Sequence, residues 1–127
     1  MPFVQITLTK GKPPKTISTI VDSVHKALVE EFNIPELDKF QIVQEVEASN
    51  LIFPPNYLGV PHSENIVYIH ITAKKGRTVE MKKQLYKKIA MLISEKTDIS
   101  SDDVFIVLSE NKEENWSFGR GQAQLVE

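Results

Sequence analysis

Apolar and polar residues alternate through Phe3-Val4-Gln5-Ile6-Thr7-Leu8, which puts Val4, Ile6 and Leu8 on one face and predicts a half-buried strand. Pro13 and Pro14 suit a helix entrance, where a missing N–H does no harm. From there Ile17, Ile20, Val21, Val24, Ala27 and Leu28 recur at three- and four-residue spacing, the apolar stripe of an amphipathic helix. Asn33-Ile34-Pro35 stops that helix, and Phe40 to Val46 reads as the next strand. The order then repeats. Val67 to Thr72 is a strand, Thr78 a helix cap, Met81, Leu85, Ile89 and Leu92 a second stripe, and Val104 to Leu108 a closing strand.

The repeat extends to individual residues. Val4 and Ile69, Ile6 and Ile71, Leu28 and Ile93, Asp38 and Asp103, and Phe40 and Phe105 are all 65 positions apart. A shared offset across strand, helix and strand predicts two βαβ units related by pseudo-symmetry. Each crossover helix makes its flanking strands parallel. The expected fold is therefore α/β (α+β): a four-stranded, mostly parallel sheet with two helices on one face. The bare face needs a partner, and another subunit is the expected one. The chain reads as a single domain over residues 1–127. Unit one covers about 2–50, a connection about 51–65, unit two about 66–110, and a tail 111–127 that lines the site or packs on a neighbouring subunit. In the connection, Leu51-Ile52-Phe53-Pro54-Pro55-Asn56-Tyr57 reads as a short strand followed by a turn near Gly59 and Pro61.

Composition narrows the function classes. A formal net charge of −2 gives no reason to expect nucleic acid or an anionic membrane as partner. No apolar run approaches the ~20 residues of a membrane span. No signal peptide is visible, so a cytoplasmic protein is expected. The absence of cysteine removes disulfides, thiol nucleophiles and thiolate zinc sites together. His25 (assigned to the polar side of the first helix), His62 in a loop and His70 in a strand show no spacing for a shared metal, and no metal or cofactor is expected. Lys82, Lys83, Lys87 and Lys88 read as the solvated face of the second helix.

A few residues carry candidate chemistry. Initiator methionine is usually trimmed before a small residue, and loss of Met1 would leave Pro2 with a free secondary amine. An ordinary α-amino group titrates at about 7.7–8.0, and burial lowers an amine further, which suits general base catalysis near neutral pH. Lys74, Lys75 and Arg77 sit between a strand and a helix start, either as a carboxylate site or as a solvated basic loop. Asp38, in Pro35-Glu36-Leu37-Asp38-Lys39-Phe40, is either a turn residue or a general base. Trp116 and Phe118 are two apart, so in extended chain both rings point the same way, into a core or a pocket wall. Gly119-Arg120-Gly121 lacks the strand-to-helix context of a phosphate loop and reads as a turn.

Pro2, two βαβ units, the basic loop and the tail Asn115-Trp116-Ser117-Phe118-Gly119-Arg120-Gly121 together resemble the tautomerase superfamily, closest to its malonate semialdehyde decarboxylase branch. Asp102-Asp103-Val104 and Glu110-Asn111 also look like that branch. The resemblance spans essentially the whole chain. It implies a homotrimer with an active site around each terminal proline. Pro2 takes the place of the catalytic amine, Asp38 that of an aspartate that activates water or orients the amine, and Arg77 that of an arginine binding the substrate carboxylate. Trp116 and Phe118 match aromatic residues of the pocket, and Lys75 replaces the first of the family's two arginines, Arg77 matching the second. The implied activities on a small carboxylate are keto–enol tautomerisation of a 2-keto acid such as phenylpyruvate, decarboxylation of a 3-oxo acid, or hydration of an unsaturated acid. A trimeric binding or scaffold protein that lost the chemistry is the alternative of another class.

Overall fold

The computed structural model describes residues 1–127. In chain order it contains β1 (Pro2–Thr9), α1 (Pro14–Phe32), β2 (Phe40–Val46), β3 (Asn56–Tyr57), β4 (Val60–Pro61), β5 (Val67–Lys74), α2 (Val79–Lys96) and β6 (Val104–Asn111), with three short 3-10 turns. The main sheet has the order β2-β1-β5-β6. β1 runs parallel to β2 and β5 parallel to β6, whereas β1 and β5 meet antiparallel at the centre. The antiparallel seam follows from the pseudo-twofold: rotating one βαβ unit onto the other reverses its strands.

Both helices lie on one face of the sheet. Val4, Ile6 and Leu8 of β1 and Val67, Ile69 and Ile71 of β5 pack against Ile20, Val24, Ala27 and Leu28 of α1 and Leu85, Ile89 and Ile93 of α2. All of these side chains are almost wholly removed from water, so the two stripes and the two alternating strands make one core. The helix ends follow local chemistry. Pro14 occupies the first helical position of α1, and Asn33 closes it in the left-handed conformation, φ 55. Thr78 caps α2, its Oγ1 accepting from the Met81 N–H at 3.1 Å. No helix is long and apolar enough to cross a membrane. The opposite face is bare and carries Phe3, Phe40, Ile42, Phe105 and Val107 in water.

Four expectations change. The connection makes no strand over Leu51–Pro55, because consecutive prolines there have no N–H to give a ladder. Instead β3 and β4 form a tight hairpin around Leu58 and Gly59, both at positive φ (50 and 80), as a two-residue hairpin turn requires. His25 is not on a solvated face. It is 8% exposed, and a ring nitrogen lies 2.7 Å from the Glu36 carbonyl, because the chain after Asn33 folds back over α1. The α2 lysines are partly engaged: Lys82 pairs with Glu110 at 2.7 Å, and Lys88 with Glu30 at 3.1 Å and Glu31 at 3.7 Å. β5 and β6 also run longer than expected, since pairing continues to Lys74 and Asn111.

Candidate active site

Pro2 is buried at the outset of β1, where parallel pairing sets Phe3 beside Phe40 and antiparallel pairing sets Pro2 beside Ala73. A cleft of about 500 Å³ opens there. Its walls are Pro2, Phe3, Lys39, Phe40, Gln41 and the tail residues Trp116, Ser117 and Phe118. Strand register alone brings the first five together, and the tail then folds across the sheet edge to supply the rest. The Trp116 and Phe118 rings stack with centroids 5.8 Å apart and planes at 23°.

The tail is fixed by polar contacts. The Trp116 indole N–H donates to Asn111 Oδ1 at the end of β6. The Phe118 N–H donates to Gln124 Oε1 at 3.0 Å, and Gln124 Nε2 donates to the Gly119 carbonyl at 3.0 Å. One amide side chain thus ties both ends of a loop in which Gly119, Arg120 and Gly121 all take positive φ. Gly119-Arg120-Gly121 is a turn, and no helix follows it.

Asp38 lies in the turn before β2. Its carboxylate accepts from the amino-terminal nitrogen of Met1, and both partners are largely shielded, the acid at 17% and Met1 at 20% exposure. A carboxylate is therefore aimed at the chain's amino terminus, next to the cleft wall formed by Pro2.

The basic loop sits elsewhere. Lys75 and Arg77 follow the end of β5, and neither lines the cleft within one chain. The Lys75 N–H donates to the Asn111 carbonyl at 2.8 Å, and its side chain is exposed. Arg77 Nη1 donates to the Lys74 carbonyl at 3.1 Å, and its guanidinium stacks 4.9 Å above the Phe32 ring. The cation that does line the cleft is Lys39, whose ammonium pairs with Asp22 at 2.9 Å. Of the candidate residues, the cleft gathers Pro2, Trp116 and Phe118, with Asp38 at the adjoining amino terminus. Sequence reasoning missed Lys39, Gln41 and Gln124. No periodicity marks them, and the first two reach the cleft through the Phe3–Phe40 register. No group of three or more His, Asp or Glu side chains is arranged as a metal site.

A tautomerase enzyme family model matches residues 38–119, and a second model with the same description matches residues 2–60. "Probable tautomerase YusQ" of Bacillus subtilis (strain 168) is 42% identical over 127 residues, 100% of both chains. A crystal structure of FG41 malonate semialdehyde decarboxylase inhibited by 3-bromopropiolate superimposes with a TM-score of 0.91 at 36% identity, covering 98% of this chain and 94% of that one. A second malonate semialdehyde decarboxylase, described with decarboxylase and hydratase activities, gives a TM-score of 0.90 at 29% identity over 98% and 95%. A fused 4-OT symmetric trimer shares the fold, with a TM-score of 0.77 at 20% identity over 94% of both chains. Given a full-length relative at 42% identity and a family model spanning strands and tail alike, the chain belongs to the tautomerase family.

Proposed function

We propose that, once Met1 is removed, the Pro2 nitrogen is the general base in keto–enol tautomerisation of a 2-keto acid such as phenylpyruvate, without a cofactor. The observation that carries this reading is the burial of Pro2 in the wall of a cleft of about 500 Å³ that the stacked Trp116 and Phe118 complete. After trimming, a secondary amine begins the chain at that cleft. Neutral Pro2 lifts a proton from the carbon next to the carbonyl, and its ammonium returns a proton to the other atom. The Trp116–Phe118 stack offers a face for the ring of phenylpyruvate. Lys39 in the wall supplies positive charge for the carboxylate and the enolate, and Arg77, with Lys75, swings in from the β5–α2 loop outside the cleft lining when substrate binds.

Two influences act on the Pro2 amine in opposite directions. Burial favours the neutral form, and a nearby carboxylate favours the ammonium. Tautomerisation needs burial to win. Should Asp38 win, the second reading follows: decarboxylation of a 3-oxo acid or hydration of an unsaturated one. An ammonium at Pro2 would polarise the carbonyl while the bond to the carboxylate breaks, carbon dioxide leaves and the enolate is reprotonated. In hydration, Asp38 would take the proton of the attacking water while the Pro2 ammonium gives one to the carbon next to the carboxylate. The 36% identity to a malonate semialdehyde decarboxylase supports this second reading.

We also propose a homotrimer in the cytoplasm. The bare sheet face carries Phe40 at 53% and Phe105 at 39% exposure, and assembly would remove both from water. The symmetric trimer of the fused 4-OT supports that arrangement. The test is a side-by-side assay of enol-phenylpyruvate ketonisation and malonate semialdehyde decarboxylation by trimmed protein. Faster ketonisation supports the first reading and faster decarboxylation the second. No turnover of either would leave a binding or scaffold protein.

A further inference from the structure

Asp38 sits in a turn that lies outside the sheet ladder, between the end of α1 and the start of β2. There the Asp38 N–H donates to the Pro35 carbonyl at 3.0 Å and the Lys39 N–H to the Leu37 carbonyl at 2.9 Å. The Asp38 carboxylate accepts from the amino terminus, and no other side chain clamps it. Its counterpart 65 positions on, Asp103, stands just before β6 and is held differently. Asp103 is buried and pinned from the side by the Ser63 N–H at 2.7 Å and the Ser63 hydroxyl at 2.6 Å. Asp38 has no such clamp, so its aim depends on whatever steadies the turn beneath it.

That support comes from α1, where Asp22 and His25 stand one helical turn apart on the same face. His25 Nε2 lies 2.7 Å from the Glu36 carbonyl, two residues before Asp38. Asp22 pairs with Lys39, one residue after it, at 2.9 Å. The two tethers are unequal. Asp22 and Lys39 are 71% and 38% exposed, and a surface pair of that kind contributes little. His25 is buried, so its bond is shielded from competing water. A carbonyl only accepts, which makes Nε2–H the donor. In the second unit the position of His25 is taken by Ala90. The unit whose aspartate has its own clamp lacks the histidine, and the unit whose aspartate faces the amino terminus carries it.

We propose that His25 is a positioning residue for the Pro2 site: its Nε2–H, donated to the Glu36 carbonyl, holds the turn that aims the Asp38 carboxylate at the amino terminus. His25 does not line the Pro2 cleft, so it acts through Asp38. A carboxylate kept close favours the ammonium form of the amine, and one that wanders favours it less. The inference rests on the reading that a trimmed Pro2 amine works beside Asp38.

The test is a nitrogen NMR titration of Pro2 in the trimmed, full-length protein and its variants. Asp38→Asn should lower the Pro2 pKa by about one unit, the effect of losing a nearby carboxylate, and His25→Leu by roughly half as much. His25→Gln, which keeps an N–H donor, should restore most of the parent value. In the Asp38→Asn background, His25→Leu should shift Pro2 no further. The proposal is overturned if His25→Leu leaves Pro2 unmoved while Asp38→Asn shifts it, the result for a histidine that only supports the fold. It is overturned equally if the His25→Leu shift persists without Asp38. Should Asp38→Asn itself shift nothing, the pairing of Asp38 with Pro2 fails and the inference falls with it. Long-range proton–nitrogen NMR of the parent protein above about pH 8, where an ordinary histidine is neutral, needs no variant. The Nε2–H tautomer of His25 is expected there, and an Nδ1–H tautomer with bare Nε2 overturns the proposal.

Discussion

Arg77 offers a perturbation in which stability and substrate binding can be pulled apart. Its guanidinium covers the Phe32 ring at 4.9 Å and donates to the Lys74 carbonyl at 3.1 Å, outside the lining of the cleft it is proposed to serve. Arg77→Ala removes a cation–π contact worth roughly 0.5–2 kcal/mol and a hydrogen bond worth roughly 0.5–1.5 kcal/mol. The expected destabilisation is about 1–3 kcal/mol, or about 4–10 °C in melting temperature for a domain of this size. Substrate binding requires that the guanidinium leave Phe32 and grip a carboxylate through two charge-assisted hydrogen bonds worth roughly 3–6 kcal/mol together, a net gain of about 2–3 kcal/mol after the contacts given up. Its loss should lower kcat/KM for phenylpyruvate by roughly a hundredfold, with most of the change in KM. Arg77→Met keeps an apolar stem over Phe32 but neither the cation nor the donor, so it should recover only a small part of the melting temperature and none of the KM. Arg77→Lys should recover part of the KM, because it keeps the charge and loses the two-pronged geometry. The assays are calorimetry and steady-state ketonisation on the same preparations. If Arg77→Ala melts lower while its kcat/KM stays within about twofold of the parent, Arg77 only props the β5–α2 loop and the reasoning is refuted.

Three further outcomes are expected. Asp38→Asn should cut decarboxylation or hydration about a hundredfold, as removal of an acid–base group does, and slow ketonisation much less. An equal fall in all three activities would mean that Asp38 only organises the turn. Trp116→Phe keeps an aromatic stack and loses the N–H to Asn111, so KM should rise about three- to tenfold, one hydrogen bond's worth; unchanged KM would remove the tail from the binding wall. Lys88 is raised above its ordinary 10.5, first by its hydrogen bond to Glu30 and then by the charges of Glu30 and Glu31. A raised folded value stabilises fully below the unfolded pKa and is lost as pH climbs through the folded one, so melting should soften only in the alkaline range above about 10.4. Lys88→Met should remove that alkaline step, and an unchanged step would assign it elsewhere.

Much of the fold is legible because periodicity is enforced by burial. Val4, Ile6 and Leu8 alternate since one face of β1 meets the helices, and β2 begins and ends at Phe40 and Val46 as the pattern requires. The β3–β4 hairpin is not legible that way. Two-residue strands carry no period, and a leucine at positive φ gives no turn signal. His25 looks like a polar helix position until the chain beyond Asn33 brings the Glu36 carbonyl onto it. At the site, Pro2, Trp116 and Phe118 stand out by chemistry or spacing. Lys39 and Gln41 look like ordinary polar positions beside a strand and reach the cleft only through register. The contact of Arg77 with Phe32 joins two units distant in sequence, which no local pattern encodes.

The central claim is that a free Pro2 amine, formed by removing Met1, does the chemistry. The direct measurement is kcat/KM for phenylpyruvate ketonisation with protein shown by mass spectrometry to begin at Pro2, set against protein that retains Met1. In the retained form the Pro2 nitrogen is acylated and Met1 occupies the Asp38 carboxylate. The account predicts a loss of at least about a hundredfold on retention, the range of a missing general base. Equal activity in the two forms would contradict it and move the reactive group away from Pro2.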